Sequence, residues 1–163
     1  MIARNGRLLL AWALSVLLIV ALAGLTLSVV ALSKQRAAAE ERTGAMKAAR
    51  QLALDFTTYD YQTWDADSKR VIDDSTGQFK QEFQAGIDAV KTDVVSNKAT
   101  SKGDVKEAGV VSSDKDSAQV LVIVNAVVTN TASTTGTERR YRIKLDMVRE
   151  KGRWLTADLQ VVG

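Results

Sequence analysis

The chain has 163 residues, with no His, no Cys and no Pro, and a formal net charge of +3. Without histidine it lacks the commonest general base and metal ligand, and Ser-His and Cys-His mechanisms are excluded; without cysteine it has no disulfide and no thiolate chemistry. The pI near 9.2 reflects a small excess, since Ser33 onward holds 20 of the 22 bases against all 19 acids, with no basic stripe of interleaved aromatics that would mark a nucleic-acid-binding face.

A short tail, residues 1–7, carries Arg4 and Arg7. Leu8 to Leu32 then runs for 25 residues without a charge. As a helix this run spans roughly 37 Å, enough to cross a hydrocarbon core. A cleaved signal peptide has an apolar stretch of only about 7–15 residues, so a retained transmembrane anchor is expected over residues 8–32. Trp12 reads as its interfacial aromatic, and Gly24 has no GxxxG partner. The positive charges after the span (Lys34, Arg36, Arg42, Lys47, Arg50) outnumber the two before it, and counted alone they favour a cytoplasmic C-terminal part.

Residues 33–44 read as a solvated stalk helix, with Gly44 loosening its joint to the domain at 45–163. Ala45, Ala49, Leu52, Phe56 and Tyr59 form one helical stripe. A second, short helix is expected over Ala66 to Asp73, burying Val71 and Ile72. Ser75 and Gln78 match a capping box for a third helix, with Phe79, Phe83, Ile87, Val90 and Val94 on one side and an end near Lys98. The period then changes to four strands: Asp104 to Ser113, Ser117 to Asn130, Thr137 to Arg149 and Arg153 to Val162. AQVLVIVNAVV is apolar on both faces and suits a central strand. RRYRIKLDMV alternates, with Tyr141, Ile143, Leu145 and Met147 inward and Arg140, Arg142, Lys144 and Asp146 outward. Short turns, the last with Gly152 at a left-handed position, predict an antiparallel meander. The expected class is α+β, three helices on a curved four-stranded antiparallel sheet behind the anchor and stalk.

This layout resembles the nuclear transport factor 2-like cone fold. The stretches ALDFTTYDYQTWDADSKRV, TGQFKQEF, GVVSSDKDSAQVLVIV and GRWLTADLQVV, in that order from Leu8 to Val162, resemble the mammalian-cell-entry (Mce)-associated membrane proteins of actinobacteria. The resemblance implies a non-enzymatic, single-pass membrane protein that stabilises or assembles a multi-subunit importer of lipids such as fatty acids and sterols. It also implies a cytoplasmic N-terminus and an extracytoplasmic domain, against the charge count. The partners it implies are the bilayer and importer subunits.

Two other classes stay open: a cone domain that binds or converts an apolar small molecule, and a cone-fold subunit of a secretion apparatus. The former needs an open apolar cavity with an inward carboxylate or tyrosine, and fails if Phe56, Phe83 and Trp154 fill the cone. Tyr59, Asp60, Tyr61, Asp65 and Asp67, within TTYDYQTWDAD, supply the residue types for an Asp base and a Tyr donor. Residues one or two apart on a helix do not share a face, however, and Asp65 and Asp67 suit the start of a helix. The corner is therefore read as packing, with its carboxylates as cap and solvent groups. Asp65, Asp67, Asp73 and Asp74 match no EF-hand spacing, and Asp114 to Asp116 read as a hairpin turn. Arg139, Arg140, Arg142, Lys144 and Arg149 form either a contact face for an acidic partner or lipid head groups, or a solvated face interspersed with Glu138, Asp146 and Glu150. Trp154 is expected as a core or rim anchor covering the open end of the cone. No catalytic, cofactor or metal residue is expected, no nucleic acid is expected as a partner, and a small-molecule ligand is the lesser expectation.

Overall fold

The computed structural model describes residues 28, 32–33 and 35–162. The chain divides into two units, 1–39 and 40–163. In the first, residues 28, 32–33 and 35–39 are helical and exposed. The expected tail, most of the anchor, Trp12 and Gly24 lie outside the described residues. Among the described residues no helix is long and apolar enough to cross a membrane.

The second unit is α+β. Helix α1 covers residues 40–57, and Ala45, Ala49, Leu52 and Ala53 are buried almost completely. The small alanines let the helix lie close to the sheet. Gly44 belongs to this contact: a Cβ there would stand 3.1 Å from Nε1 of Trp154. The helix stops at Thr57, whose hydroxyl turns back to donate to the Ala53 carbonyl at 2.7 Å. The apolar stripe therefore ends at Phe56, and Tyr59 leaves the helix for a two-residue strand, β1 (Tyr59–Asp60).

Helices α2 (Trp64–Asp73) and α3 (Gly77–Ser96) follow. In α2 Val71 is buried, whereas Ile72 is only half-buried. The expected capping box does not form. Thr76, not Ser75, is the N-cap of α3 and makes no side-chain cap bond. Ser75 donates instead to the Val71 carbonyl, and Gln78 donates to Glu82. Ser75 is held away from the helix because it bridges to Thr156, while Thr76 N–H donates to the Thr156 carbonyl at 2.8 Å.

Strands β2 (Thr100–Ser113), β3 (Ser117–Thr129), β4 (Thr137–Glu150) and β5 (Arg153–Val161) complete an antiparallel meander in the order β1-β2-β3-β4-β5. The sheet thus gains a fifth strand, because β2 starts four residues before its expected start and Thr100 and Ser101 pair with Asp60 and Tyr59. Register shifts at Val105/Glu107, Val110/Ser112 and Asp146/Met147 are bulges of the kind that bend and coil a sheet. Lys151 and Gly152 both have positive φ, +51° and +82°, in the β4–β5 turn, as a primed hairpin turn requires.

The core lies between α1 and the concave face of the sheet. Val120, Val122 and Val124 of β3 and Ile143, Leu145 and Met147 of β4 have 0–1% exposure. Each such side chain contributes about 1.5–3 kcal/mol on burial. A second cluster, Trp64, Val94 and Ala99, closes the corner that α2 and α3 make with Tyr59 and Tyr61.

Candidate functional site

The stretch from Thr57 to Asp67 is brought to the mouth of the cone, where β1 passes through a tight turn into α2. Asp67 is the fixed point of this corner. Its Oδ2 accepts from the Asp60 N–H and the Thr63 hydroxyl, both at 2.9 Å, and its Oδ1 accepts from Arg70 Nη2 at 2.8 Å. Arg70 also donates through Nε to Asp55 Oδ1 at 3.3 Å. Burial opposes the charged guanidinium, but its bonds to Asp67 and Asp55 outweigh that and raise its pKa. Asp67 is therefore buried and fully partnered, not a solvent group as its place in the first turn of α2 suggested. The turn folds its own backbone donors onto the carboxylate, which repays the cost of desolvation.

The other corner residues go separate ways. Asp60 accepts from the Gln62 N–H within the turn, and the Tyr61 hydroxyl accepts from Gln62 Nε2. Asp65 lies inside α2 and makes no cap bond; its exposed carboxylate pairs with Lys91 Nζ at 2.7 and 2.9 Å. Tyr59 packs edge-on against Trp64, with ring centroids 5.7 Å apart. Of the five residues first considered, Tyr61 and Asp65 border a smaller surface pocket, and Tyr59 and Asp67 line a larger space. Asp73 pairs with Lys69, whose hydrogen bond holds its carboxyl below the usual range, and Asp74 pairs with Arg153. No group of acids suited to a metal ion occurs among the described residues.

That space is a cavity of about 520 Å³ between α2, α3 and the end of the sheet. Its walls are mainly apolar, with Phe56, Val71, Phe83, Ile87 and Val90 prominent. Phe56, Phe79 and Phe83 pack on one another at 5.9–6.2 Å, and Phe56 and Phe83 line the cavity rather than plug it. Trp154 does not cover this opening. It sits against Gly44 and the main core, because the β4–β5 turn carries it towards α1. Gly86 also lines the cavity, and a Cβ built there meets nothing within 4 Å. No sequence period marks Gly86 or Ser101 as wall residues; Tyr141 is legible as inward from the alternation of β4. Trp64 also lines the cavity, but its indole N–H is covered by protein and has no hydrogen-bond partner among the described residues.

The outer face of the sheet is the second feature. Along β3, Leu121, Ile123 and Val127 are 42%, 41% and 48% exposed. Register places Lys144 beside Leu121, Arg142 beside Ile123 and Arg140 beside Asn125. Directly paired residues share a face, so a basic row borders the aliphatic row. The five-residue basic set divides: Arg139 and Arg149 have the opposite parity. Arg139 lies near Tyr59 at the cone mouth, and Arg149 pairs with Glu41 of α1.

Comparison with solved structures places this unit among cone-like domains. The chain is similar to an IcmL-like type IV secretion system protein from Legionella pneumophila (TM-score 0.61, 14% identity, 74% of this chain and 91% of that one). It is also similar to CagV, a VirB8 homolog of the type IV secretion system from Helicobacter pylori (TM-score 0.59, 7% identity, 74% and 97%). A third similar structure is the VirB8 protein of Agrobacterium tumefaciens (TM-score 0.55, 9% identity, 76% and 92%). At these identities the likeness is one of fold. In sequence, the chain is 30% identical over 154 residues to the uncharacterized protein Rv1363c of Mycobacterium tuberculosis. The match covers 94% of this chain but only 59% of that relative's length. The family model described as "Uncharacterized protein Rv1363c/MT1408-like" matches residues 8–162, and the chain belongs to that family.

Proposed function

We propose that the chain is a non-enzymatic, single-pass accessory protein of the cell envelope that stabilises or assembles a multi-subunit lipid importer, as its resemblance to the Mce-associated proteins implies. In this reading the N-terminus is cytoplasmic, residues 8–32 cross the plasma membrane and the cone domain faces outward. The observation that carries it is the outer sheet face. A central strand with Leu121, Ile123 and Val127 on its open side, bordered by Arg140, Arg142 and Lys144, has the apolar middle and charged rim of a protein interface. The cone-like neighbours named as type IV secretion system proteins support a second reading, a subunit of a secretion apparatus, in which the same face docks to different partners.

Affinity purification of the tagged full chain from detergent-solubilised membranes separates these readings. Enrichment of lipid-importer subunits is the expected outcome. Secretion-channel subunits in their place would assign the second reading, and a preparation with neither would contradict both. For the orientation, a reporter fused after Gly163 is expected to be active outside the cytoplasm; activity confined to the cytoplasm would reverse the topology.

A further inference from the structure

We propose that the cavity at the cone mouth is a binding site for a neutral, apolar molecule with a carbonyl at one end, such as a long-chain ester. Its volume of about 520 Å³ falls within the roughly 300–1,000 Å³ typical of small-molecule sites. The polar groups of the wall then select the chemistry of the ligand.

Two donors in the wall, the half-buried phenols of Tyr59 and Tyr141, have no partner among the described residues; the Trp64 indole N–H is also unpartnered, but protein covers it and it does not open onto the cavity. A phenol that a bound molecule cuts off from water costs about 1–3 kcal/mol if left unpaired, so a molecule that fills the cavity needs an acceptor there. The wall's carboxylates cannot serve as donors, and those of Asp55 and Asp67 are already bonded to Arg70. An anionic end is disfavoured because the wall holds three carboxylates, Asp55, Asp67 and Glu82, against the nearby guanidiniums of Arg70 and Arg139. A cationic end would find the wall's carboxylates already engaged, Asp55 and Asp67 by Arg70 and Glu82 by Gln78, and would leave the phenol donors unpaired. What remains is a neutral acceptor, a carbonyl, on an apolar body lying against Phe56, Phe83 and Ile87. Burial and the nearby Tyr141 raise the Tyr59 pKa, offset in part by Arg139, so this phenol stays a donor at neutral pH. The site is independent of the outer sheet face, so either proposal can fail without the other.

The experiment uses the full chain in lipid nanodiscs and a diazirine-bearing long-chain methyl ester, compared at neutral pH with the free acid of the same probe. Peptide mapping is expected to place the ester on α3 and β4 wall residues, with at least about tenfold more labelling than the acid, the ratio given by about 1.4 kcal/mol. Gly86→Leu, whose new side chain enters open space in the cavity, is expected to cut ester labelling about tenfold while the melting temperature holds. The double variant Tyr59→Phe/Tyr141→Phe keeps both rings and removes two donors, and a similar loss is expected. Equal labelling by acid and ester, or ester labelling unchanged in either variant, would overturn the proposal.

Discussion

Asp67 shows how far a single residue can be read from sequence. Its type and its place near a helix start are legible in TTYDYQTWDAD. Its partners are not, because the turn that brings the Asp60 N–H and Thr63 hydroxyl to it has no signature beyond composition. Asp67→Ala would leave these donors without their acceptor and the Arg70 guanidinium with Asp55 alone, and a loss of about 2–4 kcal/mol is expected in denaturant unfolding. Tyr59 makes the opposite case, since burial raises its pKa above the ordinary 10.0. As pH rises the unfolded chain releases this proton first. The stability tied to Tyr59 is therefore complete below pH 10 and lost as pH climbs through the folded value. From about pH 9 to about pH 11 the wild-type melting temperature should fall more steeply than that of Tyr59→Phe.

At the scale of elements, helices and long strands with a clear period are legible, and the short devices between them are not. The alternation in RRYRIKLDMV and the doubly apolar AQVLVIVNAVV correctly give β4 and the central β3. Strand β1 is missed because two residues carry no period; it exists only because β2 extends back to Thr100 to receive it. The failed capping box has a tertiary cause, the bridge that draws Ser75 to Thr156. Two glycines illustrate the same limit. A Cβ on Gly103 would stand 2.3 Å from the Thr57 hydroxyl oxygen, where β2 crosses the end of α1. Gly103→Ala is expected to cost about 1–3 kcal/mol by overpacking. Gly86 lies in the interior of α3 with open space beside it, so Gly86→Ala should stabilise by up to about 1 kcal/mol through helix propensity. Chemical denaturation of the two variants in parallel checks both signs.

At the scale of the whole molecule, the α+β cone is legible because helices gathered before a meander allow few packings. Which face of the central strand would be covered is not. A strand apolar on both sides predicts burial on both, yet α1 covers only the concave side and leaves Leu121, Ile123 and Val127 in the open. That uncovered row is the basis for reading the chain as an assembly subunit. A charge placed there should break assembly and spare folding: Leu121→Lys/Ile123→Lys is expected to remove co-purifying subunits while circular dichroism and melting temperature stay close to wild type. The most direct measurement is in-cell cross-linking with a benzophenone amino acid in place of Ile123, with the same group at the exposed position of Asp114 as the control. The account predicts adducts with an importer subunit from position 123 and none from position 114. No adduct from 123, or the same adducts from both positions, would contradict it.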